Sequence, residues 1–297
     1  MMAVYSGVFA FAVGAGPYPG GLLAEHYGLA APFYAFTVLG TLAAVVAWLR
    51  VPETKGLRLD RAEGTATPPA VPFGAQLRLL LAQTGFLLIS VVSFSSFFAR
   101  TGALFNLIPV LGKERLGLAP DQIGFGLGLI SVLGLGLAYP SGMLVDRFGR
   151  KGVIVPATLI SGLALLLFSR AASYSWFLWG CAAWAVASGL SSAAPAAYAA
   201  DMAPPGMNAA AMSAYRMLSD SGYVVGPLLL GFAADTVGVD AALVGTATLL
   251  AATSLLFARF APETIRGRGR AQPALAVQPP AAEPAIVVAA PPPRRDD

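Results

Sequence analysis

Eight long apolar runs dominate this sequence, and few folds can accommodate them. They occupy roughly 2–24, 31–50, 82–108, 121–144, 152–170, 174–200, 212–235 and 239–260. Each is close to the roughly 20 residues that a helix needs to cross the hydrocarbon core of a bilayer. Hydrocarbon offers no water to an open backbone, so every spanning segment must satisfy its own N–H and C=O groups. The expected fold class is therefore an all-α membrane protein with eight transmembrane helices. Pro17, Pro140, Pro156, Pro195 and Pro227 lie inside these runs, where membrane helices carry proline as a kink.

Composition narrows the partners. Charged residues make up 11% of the 297, against about 25% in soluble domains, so the expected solvent is the lipid bilayer. The net charge of +4 is spread between apolar runs and forms no basic patch, which argues against nucleic acid. Cys181 is the only cysteine and His26 the only histidine. A disulfide framework is thus impossible, and neither a metal site nor a cofactor is expected. With no Ser/His/Asp or Cys/His set, enzymatic chemistry is not expected either. Gly124-Phe125-Gly126-Leu127-Gly128 looks like a phosphate loop but follows no strand and carries no lysine, so close helix packing is its reading.

Lysines and arginines set the orientation. One set of loops holds Lys55, Arg58, Arg61 and Arg78, then Arg147, Arg150 and Lys151, then Arg266, Arg268 and Arg270; the opposite set holds Lys113, Arg115 and Arg170. The richer set is expected to face the cytoplasm, placing both termini there in a multi-pass plasma-membrane protein (the inner membrane of a bacterium). Residues 51–80 read as a linker, and 263–297, rich in proline and alanine, as a disordered tail.

The chain also repeats itself. A gapless shift of 210 positions lays Gly16-Pro17 on Gly226-Pro227, Gly21 on Gly231, Glu25 on Asp235, Gly28 on Gly238 and Pro52-Glu53-Thr54 on Pro262-Glu263-Thr264. Duplicated helical units are a common plan for transporters. The seventh and eighth runs repeat the first two, so the repeating unit is six helices, and runs three to six have no counterpart ahead of the first.

Between runs four and five stands Gly142-Met143-Leu144-Val145-Asp146-Arg147-Phe148-Gly149-Arg150-Lys151. Read as residues, Gly142 permits close helix contact, Gly149 a tight turn, and Asp146 an anion for the amides at a neighbouring helix start. Arg150 offers a forked donor to a carboxylate, for which Asp201 is a candidate. The segment resembles the G-x-L-a-D-r-x-G-r-k loop of the major facilitator superfamily. That resemblance implies a twelve-helix carrier of which this chain supplies helices five to twelve. Residues 1–50 then end the first bundle, 51–80 link the bundles, and 81–262 form the six-helix second bundle. It also implies that Gly142, Asp146, Arg147, Gly149, Arg150 and Asp201 latch one state of the carrier.

Gly16-Pro17-Tyr18-Pro19-Gly20-Gly21 is similar to the G-P-x-x-G-G segment of proton-linked drug exporters in that superfamily. The earlier glycines of that pattern fall on Ala3 and Ala12 here. Gly16, Pro17, Gly20 and Gly21 accordingly read as a helix-packing motif. Pro52-Glu53-Thr54-Lys55-Gly56 is similar to a segment of sugar carriers.

Charges inside apolar runs are costly and mark candidate sites. Arg100 forms a stripe with Ser93 and Ser96, suited to an anionic substrate group, to pairing with a moving carboxylate, or to a cation reaching the interface. On the seventh run Arg216, Ser219, Asp220 and Tyr223 share a face. Arg216 and Asp220 are spaced to pair along the helix, as a proton switch or as an inert pair. The expected substrate and proton pathway is therefore Ser96, Arg100, Arg216, Asp220 and Tyr223. The function these readings imply is proton-coupled efflux of a small organic compound or drug by alternating access. The alternatives are uptake of sugars or organic acids, or a fragment that does not transport.

Overall fold

A computed structural model describes residues 17–50, 73–191, 193–204 and 206–264. The described residues are helical: α1 Pro17–Tyr27, α2 Ala31–Arg50, α3 Phe73–Leu81, α4 Thr84–Phe98, a π-helical stretch Ala99–Leu107, α5 Ile108–Glu114, α6 Pro120–Ser169, α7 Tyr174–Leu190, α8 Ala194–Asp201, α9 Asn208–Val237 and α10 Val239–Phe260. Among them are seven segments long and apolar enough to cross a bilayer: Ala31–Arg50, Thr84–Glu114, Pro120–Leu137, Pro140–Ser169, Tyr174–Asp201, Asn208–Val237 and Val239–Phe260. The first expected span, 2–24, lies mostly outside the described residues.

Turn chemistry explains where the helices end. The 50-residue α6 contains one non-helical residue, Gly149, at φ 80° and ψ 169°. A side chain rarely tolerates that backbone, so glycine here bends the chain back into a second limb of the same helix. Pro140, Pro156 and Pro227 remain inside helices, whereas Pro195 sits in the first turn of α8, after a break that the expected run 174–200 did not foresee. Gly28 and Gly238, matched by the repeat, adopt φ 87° and 89°. Each donates its N–H four residues back, to Ala24 and Ala234 respectively. The same left-handed turn thus joins both repeated helix pairs.

Two buried clusters hold the bundle. One gathers Phe98, Leu104, Ile108, Phe168, Phe177 and Leu243; the other gathers Phe86, Ile89, Ile154, Tyr198, Tyr215 and Phe257. Small residues let the helices meet: a Cβ on Gly180 would lie 2.8 Å from the Phe168 ring, and one on Gly189 would lie 2.6 Å from Leu137. Such close approach replaces the hydrophobic drive that lipid removes. By contrast, α2 buries no residue at all.

Two of the expected segments contain ordered residues. The expected linker 51–80 overlaps α3, whose Leu80 is fully buried in the second cluster. The expected tail 263–297 begins with a residue that is held in place, Glu263, because its carboxylate has helix amides to bind.

Candidate functional site

Gly149 ends the first limb of α6, and the second limb starts with unsatisfied amides. The carboxylate of Glu263 fills that position. Its Oε1 accepts from Arg150 N at 3.1 Å and its Oε2 from Lys151 N at 3.1 Å. A Cβ on Gly149 would stand 2.7 Å from Oε2, so glycine is required for space as well as for φ. The strap carrying Glu263 is pinned twice more. Lys151 Nζ donates to Ala261 O at 2.8 Å, and the Tyr198 hydroxyl to Pro262 O at 2.7 Å. Anions are favoured at helix starts by aligned amides and by the helix dipole.

Arg150 comes to Asp201, with Nε 2.9 Å from Oδ2. Nε and Nη1 are both buried without an aligned hydrogen bond, so the contact is one of charge. Arg150, Lys151, Asp201, Tyr198 and Glu263 thereby join the second limb of α6, the end of α8 and the segment after α10 into one clamp. Two expectations for this loop change. Asp146 is exposed and is not the acid on the helix start; Glu263 is. Gly142 has open space around its Cβ position, so it mediates no close helix contact among the described residues. Arg147 lies over the ring of its neighbour Phe148 at 5.3 Å.

The mid-span residues form a second group, between α4 with its π-helical continuation and α9. Here backbones touch. A Cβ on Gly222 would lie 2.5 Å from Phe94 O, one on Gly226 2.6 Å from Phe98 O, and one on Gly102 2.7 Å from Gly226 O. The signal was present as a small-xxx-small spacing, Gly222 to Gly226, on one face of α9. Beside this seam Phe97 stacks on Tyr223, with ring centroids 4.6 Å apart and planes at 16°. Ser93, expected on an open polar stripe, is buried and shares a 2.8 Å hydrogen bond with the Tyr215 hydroxyl. Ser96 donates to Val92 O. Arg100 is half-buried in the π-helical stretch, 5.8 Å from the Phe105 ring centroid.

Arg216 and Asp220 are both exposed and do not come within ion-pairing distance; the described ion pairs are Arg115–Asp240 and Arg150–Asp201. Ser219, on the same helix, is fully buried. Of the α1 glycines, Gly21 meets the first limb of α6, its Cβ position 2.6 Å from Pro120 O, while Gly20 faces open space. Tyr18 adds an edge-to-face contact with Phe125 at 5.8 Å. Pro17 begins α1, and Gly16 lies outside the described residues.

The sequence matches the profile described as Major Facilitator Superfamily over residues 1–137 and again over 89–293. The MFS-type transporter MJ1560 of Methanocaldococcus jannaschii is 25% identical over 238 residues, which is 80% of this chain and 60% of that relative. The multidrug resistance protein MdtH of Proteus mirabilis is 37% identical over 76 residues, and that of Photorhabdus laumondii 38% over 76. Those matches take in 26% of this chain and 19% of each relative. The chain thus spans less than two thirds of the length of the relatives it matches.

Proposed function

Because this chain belongs to the major facilitator superfamily, a family of membrane transporters rather than enzymes, we propose that it acts in proton-coupled efflux of small organic compounds or drugs by alternating access. The observation that carries the reading is the pairing of two unlike sites on one helical bundle. Charged side chains tie α6, α8 and the segment after α10 together at one end, and Arg100 stands in mid-span near the Phe97–Tyr223 stack. Alternating access needs both parts, because a site in mid-membrane must open to one side while the other is held shut.

In this reading residues 1–50 belong to one bundle and 81–262 to the other, with the clamp end facing the cytoplasm. Asp146, Arg150, Asp201 and Glu263 hold the cytoplasmic side closed. Arg100, Ser96, Tyr223, Arg216 and Asp220 line the route, and Asp220 carries the proton as its surroundings alternate. The matched MdtH proteins, which bear the name multidrug resistance, support efflux of drug-like compounds.

Everted vesicles containing the protein test this directly. Uptake into them should follow an imposed proton gradient and collapse with a protonophore. Asp220→Asn should abolish the gradient dependence, and Arg150→Ala should uncouple substrate movement from the gradient. Flux that ignores the gradient, or that keeps its coupling in Asp220→Asn, would overturn the assignment.

A further inference from the structure

We propose that the mid-span site selects aromatic organic anions, a reading that rests on the carrier function above and names its substrate class. Arg100 lies in the interior of a 31-residue span, Thr84–Glu114. A guanidinium stays charged in any protein environment and is costly in mid-membrane unless an anion answers it. Arg100 makes no ion pair or hydrogen bond with any described residue; its neighbour is the face of Phe105. The nearby hydroxyls do not occupy it either, because Ser96 donates to Val92 O and Thr101 to Phe97 O.

Among the described residues, the ring of Phe105 is the contact this guanidinium makes. Phe97 is one turn before Arg100 and stacks on Tyr223 of α9, while Phe105 lies beside the guanidinium. Phe97 and Arg100 stand about one turn apart on the same span, so a planar ring laid on the Phe97–Tyr223 pair would hold an attached carboxylate within about a helix turn of the Arg100 level. The glycine seam fixes this arrangement, since Gly222 and Gly226 press the α9 backbone onto Phe94, Phe98 and Gly102. Asp220 sits one turn before Tyr223, about 9 Å from the Arg100 level along the helix axes, and would repel a second negative charge there. A forked cation beside an aromatic platform recognises a ring bearing one carboxylate better than the same ring bearing an amine.

Binding is measured on the purified full chain in vesicles of phosphatidylethanolamine and phosphatidylglycerol, without any gradient, using naphthoate and naphthylmethylammonium as probes of matched ring. Naphthoate should bind about ten-fold or more tighter than the cation, the size expected for one charge-assisted contact. Arg100→Gln should erase that preference, Arg100→Lys should keep part of it, and Tyr223→Ala should weaken both probes together. Equal binding, preference for the cation, absence of saturable naphthoate binding, or a preference surviving in a folded Arg100→Gln would each overturn the proposal. Its failure is separable from that of the carrier reading. Gradient-driven flux of a cation with no naphthoate site refutes the substrate class alone. Naphthoate binding with no gradient-driven flux refutes the transport reading alone.

Discussion

The carboxylate at the helix start after Gly149 shows how far residue chemistry alone could be read. The turn itself was legible, because a glycine in a short loop between two apolar runs predicts a left-handed bend, and φ at Gly149 is 80°. The need for an anion at the following amides was legible too. Its owner was not: Asp146, three residues before Gly149, is the nearest acid in sequence, but Glu263 reaches the amide of Arg150 from 113 residues away. Local spacing carries no information on such a contact, although the repeated Pro-Glu-Thr had marked the position. Glu263→Ala should cost about 1–2 kcal/mol, the usual worth of a helix-start cap, seen as a lower melting temperature in detergent. Gly149→Ala should cost more, since it forces a side chain to positive φ and drives its Cβ into the carboxylate. The double variant should be less damaged than the two single losses added together, because truncating Glu263 removes the clash. Strict additivity in that cycle would show that the carboxylate does not pack against Gly149.

At the scale of elements, apolar runs gave the helices, and the corrections come from places where the helical period changes. The stripe Ser93, Ser96, Arg100 assumes an α-helix throughout. The π-helical stretch Ala99–Leu107 widens the turn, so that Leu104 is buried while Phe105 is 41% exposed. Sequence periodicity therefore loses register at Arg100, in a conformation that is rare and recurs at functional sites. Tertiary contact also overrides the stripe at Ser93, which turns inward to the Tyr215 hydroxyl. The seam between α4 and α9 allows a sharp prediction. Gly226→Val places a branched side chain where backbone atoms stand 2.6 Å from the Cβ position. No rotamer relieves that overlap, so the helices must separate. We expect loss of the folded, monodisperse protein on detergent size exclusion. Gly245→Ala, in open space on α10, should leave the profile unchanged and serves as the internal control. Equal behaviour of the two variants would mean that the helices do not meet at this seam.

For the whole molecule, the duplicated pattern predicts matched geometry, and the turns at Gly28 and Gly238 show it locally. The repeat also says where the two copies should differ. Gly21 and Gly231 occupy equivalent positions, yet Gly21 abuts Pro120 O at 2.6 Å, whereas Gly231 meets nothing within 4 Å. Among the described residues the first copy alone docks its glycine on α6, and that contact, with Tyr18 on Phe125, belongs to the packing that holds α1 against α6. No composition or spacing rule separates the two glycines, because their difference is one of neighbours rather than of sequence. A proximity probe makes the difference measurable. Cysteines in place of Tyr18 and Phe125, in a background with Cys181→Ser, should be joined by a short bismaleimide that spans the room left by the two rings, whose centroids lie 5.8 Å apart. Adding Gly21→Leu should abolish the cross-link, because a branched side chain cannot occupy a gap already filled by the α6 backbone. Adding Gly231→Leu should leave it intact and the melting temperature nearly unchanged, a surface substitution within about 0.5 kcal/mol. If both leucines abolished the cross-link, or neither did, docking of α1 would not depend on Gly21. The contact that holds α1 on α6 would then have to be sought elsewhere on that helix.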